Sequence, residues 1–236
     1  MQSRRARLDR FISTRTGVNR RDVRQLLASG RILVNNAVAT DVSHLIEQFT
    51  HVTLDGEILQ ANTPVYVMMN KPTGVVSATK DPKHRTVIDL LNRNDRADLH
   101  IAGRLDFNSS GLLLLTNNGA WSRQLATPEN KVEKVYRVEL EQPLSEDYID
   151  AFAQGMYFSY EGIHTQAAVL RIISAHTAEV TLTEGRYHQI KRMFGRFDNR
   201  VLALHRISIA GLKLPHDLQP GESRGITAAE LKVFDR

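Results

Sequence analysis

The sequence predicts an α+β protein made of a small N-terminal domain and a larger domain with a mixed, largely antiparallel sheet. Helical and strand-like segments are interspersed without a regular βαβ period, which favours that class over a parallel doubly wound sheet. The polar, proline-ended stretch "QANTP" is typical of a linker. We therefore predict domains at residues 1–60 and 65–236, joined by a linker at 61–64.

Two apolar triplets at positions i, i+3 and i+4 predict two short amphipathic helices near the N-terminus. The triplets are Leu8, Phe11 and Ile12, and Val23, Leu26 and Leu27. We expect Gly17 to end the first helix, Asn19 to cap the start of the second, and Gly30 to follow its end. The stretches "RILVNNAVA" and "HVTLDGEIL" alternate like strands, and an Asn-Asn turn divides the first of them.

The positive charge of the chain is concentrated at its start. Residues 1–31 hold nine arginines, Arg4 among them, and only two acids, which gives +7 in a chain whose net charge is +5. Such clustering favours a polyanionic partner, most often nucleic acid, over a basic arm that is merely solvated. Three arginines lie off the predicted apolar stripes and are candidates for RNA contacts: Arg20, Arg21 and Arg24.

Several segments of the second domain carry a secondary-structure signal. The stretch "VYVMMNKPTGVV" predicts a strand, a Lys-Pro turn and a second strand, and "TVIDLLN" predicts a short helix. The run Leu112–Leu115 lies between turn residues and predicts a buried strand. A helix is expected over Ala120–Ala126, ending before Pro128.

One carboxylate comes shortly before that leucine run. In "GRLDFNSSGLLLLTNNG", Asp106 is followed by turn residues, so we expect it at the edge of the core. An aspartate in this position could instead only hydrogen-bond its own turn backbone. The local sequence does not decide between these two interpretations.

Two further segments direct polar groups toward the core. Strand alternation in "KVEKVYRVEL" places Lys134 and Tyr136 on the otherwise apolar face, although a buried tyrosine is often only structural. In "EGRYHQIKRMFGRF", Lys191 lies at the border of a helical apolar stripe, whereas Arg192 projects to roughly the opposite side. Lys191 could therefore reach a cleft or only extend along the core edge.

The composition excludes several classes of site. The absence of cysteine excludes disulfides, thiolate metal sites and a cysteine nucleophile. The nine histidines show no metal-binding spacing, and "FNSSG" lacks the first glycine of a hydrolase nucleophile elbow. No stretch is long and apolar enough for a membrane span or a signal peptide, so we expect a cytoplasmic protein with no membrane partner.

The motifs of the chain resemble two known families. The stretches "RLDRFIS", "GVNRRDVRQLLASGRILVNN" and "VTLDGEIL" are similar to the S4 RNA-binding domain. In the second domain, "GRLDFNSSGLLLLTNNG", "KVYRV", "EGRYHQIKRMF" and "LHRISIAGLKL" resemble the RsuA-type pseudouridine synthases, which modify ribosomal RNA and carry an N-terminal S4 domain. The family's usual Thr-Ser-Gly is Ser109-Ser110-Gly111 here, and we expect these residues to shape the Asp106 turn.

This resemblance implies roles for individual residues. Asp106 matches the essential aspartate of the family, and Lys191 matches its basic partner. Tyr136 matches the tyrosine that lies against the flipped base, and Arg104 matches the arginine that helps to hold the target nucleotide out of its helix. Two more basic residues are expected to contact RNA: Lys134 and Arg186.

The resemblance also implies an activity. The protein is expected to isomerise a specific uridine to pseudouridine in small-subunit (16S) ribosomal RNA, with neither a metal nor an organic cofactor. We expect a monomer whose partner is ribosomal RNA or a partly assembled ribosomal subunit. Two alternatives are a paralogous synthase acting on large-subunit RNA and a non-catalytic S4-type RNA-binding or assembly factor. The joint presence of Asp106, Tyr136 and Lys191 argues against the second alternative.

Overall fold

The computed structural model describes residues 5–235, in two compact units that divide between Pro64 and Val65. Arg4 and the outermost residues of the two predicted domains, 1–4 and 236, lie outside the described residues. Helices and strands are both present and the large sheet is mixed, so the prediction of an α+β protein is confirmed. None of the described helices is long and apolar enough to cross a membrane.

The N-terminal unit is built from two helices and short strands. The helices are α1 (Leu8–Thr16) and α2 (Val23–Ala28). The strands are β1 (Ala6–Arg7), β2 (Ile32–Val34), β3 (Ala37–Val38), β4 (Leu45–Ile46), β5 (Val52–Leu54) and β6 (Glu57–Gln60). Four of the strands form an antiparallel sheet in the order β3-β2-β5-β6, and β1 pairs with β4. Both predicted helices are confirmed, and their apolar stripes face the core of this unit.

The helix boundaries of this unit confirm two predictions and correct one. Gly17 and Gly30 adopt positive φ angles of 77° and 67° after α1 and α2, conformations that glycine tolerates without strain. The expected cap at Asn19 is wrong, because α2 begins only at Val23. The Asn19 side chain instead accepts a hydrogen bond from the Arg21 amide at 3.0 Å, which stabilises the turn before the helix.

The C-terminal unit is organised around one nine-stranded sheet. Its strands are β7 (Tyr66–Lys71), β8 (His100–Ala102), β9 (Ser110–Thr116), β10 (Lys134–Leu140), β13 (Val169–Ser174), β14 (Thr177–Leu182), β15 (Val201–Ile209), β16 (Leu212–Lys213) and β17 (Ser223–Gly225). Their order is β13-β14-β10-β15-β9-β7-β17, with β16 beside β15 and β8 beside β9. Strands β11 (Tyr157–Phe158) and β12 (Ile163–His164) form a separate pair. All strand pairs are antiparallel except β9 with β15, which is parallel.

Helices cover this sheet and contribute to its core. They are α3 (Gly119–Ala126), α4 (Asp147–Gln154), α5 (Gln189–Gly195) and α6 (Ala228–Leu231), with 3₁₀ turns at Arg96–Asp98, Pro128–Asn130 and Lys232–Phe234. The predicted helix before Pro128 is confirmed as α3, and its start is capped by the Asn118 side chain. The predicted stripe of the later motif is confirmed too, because Ile190, Met193 and Phe194 are buried.

The leucine run of β9 separates two hydrophobic cores. Leu113 and Leu115 pack into a core on one face of the sheet, and Leu112 and Leu114 into a core on the other face. All four side chains are fully buried. A strand buried on both faces needs apolar residues at every position, which explains the unbroken run. The strand that follows the Asp106 turn is therefore held firmly in place.

Two local predictions for the start of this unit are wrong. The strand expected after the Lys-Pro turn does not form, since Val76 makes only an isolated bridge to Thr86. The stretch "TVIDLLN" forms turns rather than a helix. The Asp89 carboxylate accepts hydrogen bonds from the Thr86 amide and hydroxyl at 2.8 and 2.9 Å. Such side-chain bonds compete with helical backbone bonds, and β-branched Thr86 and Val87 weaken the helix further.

Candidate active site

Asp106 lies on the loop that joins β8 to β9. Its backbone carbonyl accepts a hydrogen bond from the Ser109 amide at 3.1 Å, which closes the turn. Its side chain is 34% exposed. Within residues 5–235 the carboxylate makes no hydrogen bond to its own turn, and its polar contacts are with the side chains of His188 and Lys191. The interpretation of Asp106 as a residue that only stabilises its turn therefore does not hold.

Both of these contacts are made with one carboxylate oxygen. Asp106 Oδ2 lies 3.4 Å from His188 Nε2 and 3.9 Å from Lys191 Nζ. Lys191, at the border of the α5 stripe, thus extends toward the carboxylate, whereas Arg192 pairs with Glu161 on the outer side. The other oxygen, Oδ1, has no polar partner in the described part of the chain. One oxygen is oriented by positive charge while the other is free.

Lys71 holds the Asp106 loop in place from the end of β7. This residue ends β7 and is fully buried. Its ammonium group donates to the carbonyl oxygens of Pro72, Asp106 and Ser109 at 2.9, 3.0 and 2.8 Å. Burial lowers the pKa of Lys71 to about 8, an effect that the nearby Asp106 charge partly opposes. Since all three donors are used, the lysine holds the loop rather than serving as a free cation.

Arg206 anchors the same loop from the neighbouring strand β15. Its buried guanidinium donates to the carbonyl oxygens of Leu112 at 2.7 Å, Gly103 at 2.9 Å and Arg104 at 3.3 Å. The Tyr136 hydroxyl lies 3.4 Å from the same group. Arg206 therefore joins the two ends of the loop and brings Tyr136 beside them.

Gly111 permits this close packing of β9 on β15. It adopts a φ of 105°, and an added Cβ would lie 2.3 Å from the Arg206 carbonyl oxygen. Only glycine allows the two backbones to approach so closely. Ser110 adds a side-chain link, with its Oγ 2.9 Å from His205 Nδ1. These residues shape the strand start that follows the turn.

The other residues predicted on the strand and loop occupy different environments. Tyr136 is buried, and Lys134 faces the same side of β10, as strand alternation predicts. The Lys134 ammonium donates to the Val132 carbonyl at 3.0 Å, and burial lowers the pKa of Lys134 to about 8, with a further contribution from the Arg206 charge. Arg104 is exposed, and its guanidinium has no polar partner in the part of the chain that the structure describes.

Arg186 belongs to a network that organises the turn before α5. Its guanidinium lies 3.1 Å from buried Glu184, which also accepts hydrogen bonds from the Gln166 amide and the Gln189 side chain. The Gln189 side chain in turn accepts a bond from the Arg186 amide. Residues of this network lie on both sides of His188 in the chain. The network thereby fixes the position of His188.

The predicted RNA-contacting arginines of the N-terminal unit are all exposed. Arg20 forms an ion pair of 2.8 Å with Asp9, and its hydrogen bond lowers the pKa of the Asp9 carboxyl. Arg21 and Arg24 make no side-chain hydrogen bond or ion pair within residues 5–235. Two of the three guanidinium groups are thus free to bind an anion.

Sequence reasoning missed three residues of this site. Arg206 carried a signal, because alternation in "LHRISI" places it on the same face as the buried residue Leu204. Lys71 carried a weaker one, as a lysine that ends an apolar strand. His188 had no signal beyond its place in the motif, since only the fold brings it to Asp106.

No group of three or more His, Asp or Glu side chains within residues 5–235 is arranged to hold a metal ion. Around the Asp106 carboxylate the structure places one imidazole, that of His188, and the Lys191 ammonium, which is fewer ligands than a metal site requires. What the arrangement offers is a single carboxylate, oriented by His188 and Lys191 and partly open to solvent.

Comparison with known proteins agrees with this geometry. Residues 65–195 match the family model of the RNA pseudouridylate synthases, and residues 6–49 match the S4 domain. The ribosomal small subunit pseudouridine synthase A of Pseudomonas aeruginosa is 48% identical over 95% of this chain and 98% of its own length. Its counterpart from Escherichia coli K12 is 39% identical over the same shares of the two chains.

A solved structure supports the same assignment at the level of the fold. The crystal structure of a pseudouridylate synthase superposes with a TM-score of 0.71 at 34% identity, covering 97% of this chain and 99% of that one. The matches to both domain models account for the order of the two units along the chain. The expectation of an S4 domain followed by a synthase domain is thereby confirmed, and the chain belongs to the RNA pseudouridylate synthase family.

Proposed function

We propose that the protein converts a uridine of small-subunit (16S) ribosomal RNA to pseudouridine, with Asp106 as the nucleophile on a flipped base. The substrate class rests on the two relatives, which are named as small-subunit enzymes and align over 95% of this chain. The observation that carries the role of Asp106 is its carboxylate, with His188 and the Lys191 ammonium at Oδ2 and, within residues 5–235, no polar partner at Oδ1.

The reaction is an isomerisation, so no atom enters or leaves the nucleotide overall. The N1–C1′ bond breaks, the detached uracil turns, and C5 bonds to C1′, while C5 loses a proton and N1 gains one. A carboxylate serves this sequence because it adds to an electron-poor centre of the nucleotide and later leaves. The positive charge of Lys191 at 3.9 Å stabilises the ionised carboxylate that must attack.

Tyr136 and Arg104 position the target nucleotide rather than form or break its glycosidic bond. The Tyr136 ring lies against the flipped uracil, and its hydroxyl, beside Arg206, assists removal of the C5 proton. Flipping costs a few kcal/mol of lost stacking, which contacts made by the extruded nucleotide must offset. The exposed guanidinium of Arg104, which has no polar partner among residues 5–235, is suited to such a contact with the RNA backbone.

The N-terminal unit holds the RNA. Its exposed arginines contact phosphates of a structured segment, since A-form RNA is bound through its backbone and 2′-hydroxyls more than through its base edges. Lys134 and Arg186 already bond to protein groups in this structure, so their contribution to RNA affinity is smaller than that of Arg104. The protein acts as a monomer, which light scattering of the purified chain can test.

The test is Asp106→Asn, which keeps the shape of the side chain and removes the nucleophile. We expect pseudouridine formation to fall below detection while RNA affinity stays within about threefold, because an amide cannot attack as a carboxylate does. The measurement is single-turnover release of tritium from C5-labelled uridine in a 16S RNA transcript. Asp150→Asn on the exposed face of α4 is the matched control and should retain full activity.

Two outcomes would contradict the proposal. Appreciable tritium release by Asp106→Asn would remove this residue as the nucleophile. Chemical mapping of RNA from cells with and without the protein would contradict the substrate if the lost pseudouridine lay in the large-subunit RNA.

A further inference from the structure

An exposed aromatic pair lies beside the active carboxylate. The Tyr187 ring stacks on the His188 imidazole with a centroid distance of 3.9 Å and an interplanar angle of 19°. Tyr187 is 74% exposed, so the face of its ring away from His188 is open to solvent. It contributes nothing to the described hydrophobic core.

His188 connects this ring to the catalytic centre. Its backbone is left-handed, with φ 49° and ψ 30°, which L-residues with a side chain adopt rarely. Its Nε2 lies 3.4 Å from Asp106 Oδ2. An uncommon backbone conformation held by its surroundings is typical of functional sites. Asp106, His188 and Tyr187 therefore form a short chain of contacts. It leads from the carboxylate outward to a ring that is exposed to solvent.

A second exposed ring follows Asp106 directly in the chain. Phe107 is 39% exposed and lies against His84, with ring centroids 5.1 Å apart and tilted by 57°. The loop that carries His84 is organised by Asp81, whose carboxylate accepts the amides of Lys83 and His84 at 2.9 and 2.8 Å. Three exposed cationic residues lie close to His84 in the sequence: Lys80, Lys83 and Arg85.

Neither ring has a task in the reaction proposed above, which uses Tyr136 for the target base. When one nucleotide is flipped out of a strand, its two neighbours lose a stacking partner. Aromatic side chains replace such lost stacking in proteins that bind single-stranded RNA, and nearby cations hold the backbone. Two open rings, one stacked on the Asp106 partner His188 and one adjacent to Asp106 in the chain and beside a cationic loop, match the chemistry of those neighbouring nucleotides.

We propose that Tyr187 and Phe107 form stacking subsites for the nucleobases that flank the flipped uridine, one ring for each neighbour. This inference rests on the proposed function, because it names what lies on either side of the target nucleotide. The ligand is single-stranded RNA, recognised by base stacking and by phosphate contacts to the loop at residues 80–85.

The experiment measures binding of short RNA without turnover, using the full chain with Asp106→Asn. The probes are a fluorescent pentanucleotide with a central uridine between two adenosines, and two versions in which one or the other flanking adenosine is replaced by an abasic ribose. We expect each abasic probe to bind roughly 5- to 100-fold more weakly than the parent, the range that loss of one stacked base produces. Tyr187→Ala should remove the difference at one flanking position, and Phe107→Ala at the other.

Two further variants of Tyr187 separate ring stacking from other causes. Tyr187→Phe should bind like the parent chain, whereas Tyr187→Leu should behave like the alanine variant, because it keeps apolar bulk but lacks a flat ring. A thermal melt of each variant shows whether it is folded. The proposal is overturned if the parent chain does not distinguish the abasic probes, or if the Tyr187→Ala, Phe107→Ala double variant still distinguishes both. Failure of the proposed function would instead be seen in pseudouridine mapping, which this binding measurement does not use.

Discussion

The cations around Asp106 and those on the N-terminal helices are used in opposite ways. Lys71 and Arg206 are buried, and each donates to three backbone carbonyls around the Asp106 loop. Arg21 and Arg24 are exposed, and within residues 5–235 their side chains have no polar partner. Buried cations bonded to several backbone carbonyls determine geometry, whereas exposed cations with free donors remain available to a ligand. Lys191, half-buried at 3.9 Å from Asp106, is intermediate between the two kinds.

The largest effect is expected from Lys71→Met, which removes a buried ammonium that donates to three backbone carbonyls and leaves the Asp106 carbonyl with only the Ser109 amide as a donor. We expect a loss of about 3 kcal/mol in the free energy of unfolding, because each unsatisfied buried group costs about 1–3 kcal/mol and partial relaxation reduces the sum. Activity should fall by at least 100-fold, since a small displacement of a catalytic group is sufficient for that. Urea denaturation and single-turnover tritium release measure the two quantities.

The matched control for Lys71→Met is Lys213→Met on the exposed side of β16, which should change neither quantity. If Lys71→Met were as stable and as active as the control, the buried ammonium would not be what holds the Asp106 loop.

Lys191→Met is expected to separate the electrostatic effect of Lys191 on Asp106 from any contribution of Lys191 to the fold. The Lys191–Asp106 contact is partly exposed and long, so its loss should change the free energy of unfolding by less than about 1 kcal/mol. The rate of pseudouridine formation should fall by about 10- to 100-fold, as a preorganised charge facing the reacting group is lost. Activity equal to that of the parent chain would remove Lys191 from the site and leave His188, at 3.4 Å, as the remaining polar partner of the Asp106 carboxylate.

The exposed arginines are expected to affect RNA affinity but not the fold. In the double variant Arg21→Ala, Arg24→Ala, the slope of log affinity against log salt should decrease by about 1.4–1.8, since each phosphate contact contributes about 0.7–0.9. The midpoint of thermal unfolding should remain unchanged. Filter binding to a 16S transcript between low and moderate salt measures the slope, and an unaltered slope would mean that these arginines do not contact phosphates.

The smallest effect concerns the dependence of stability on pH. Burial lowers the pKa of Lys134 from 10.5 to about 8 in the folded state, so between these values the unfolded state binds more protons. Stability from this group therefore rises as pH increases from about 8 to 10.5. Lys134→Met should reduce this increase in the free energy of unfolding by on the order of 1 kcal/mol, a figure that allows for the part of the side chain that solvent reaches. Urea denaturation at pH 7.5 and 10 provides the comparison, and Lys213→Met should leave the rise unchanged.

Local sequence patterns were sufficient to predict the elements whose buried residues follow the period of the helix or strand. The helical stripes at Leu8 and Ile190 and the leucine run at Leu112–Leu115 all formed as predicted, because burial of those side chains follows the period of the element itself. The border position of Lys191 also followed from helical period. Local reasoning was wrong for "TVIDLLN", where the Asp89 side chain bonds the Thr86 backbone in place of a helical turn.

The sequence by itself therefore determined the order of the two units, the strand that follows Asp106, and the side of α5 that Lys191 occupies. Tertiary structure alone decided what surrounds the carboxylate. Arg206 reaches the Gly103 and Leu112 carbonyls across 103 and 94 residues of chain, through the parallel pairing of β9 with β15. His188 reaches Asp106 only because the Glu184 network and a left-handed backbone orient it. Such contacts depend on strand order and backbone conformation, which no periodic pattern of side chains records.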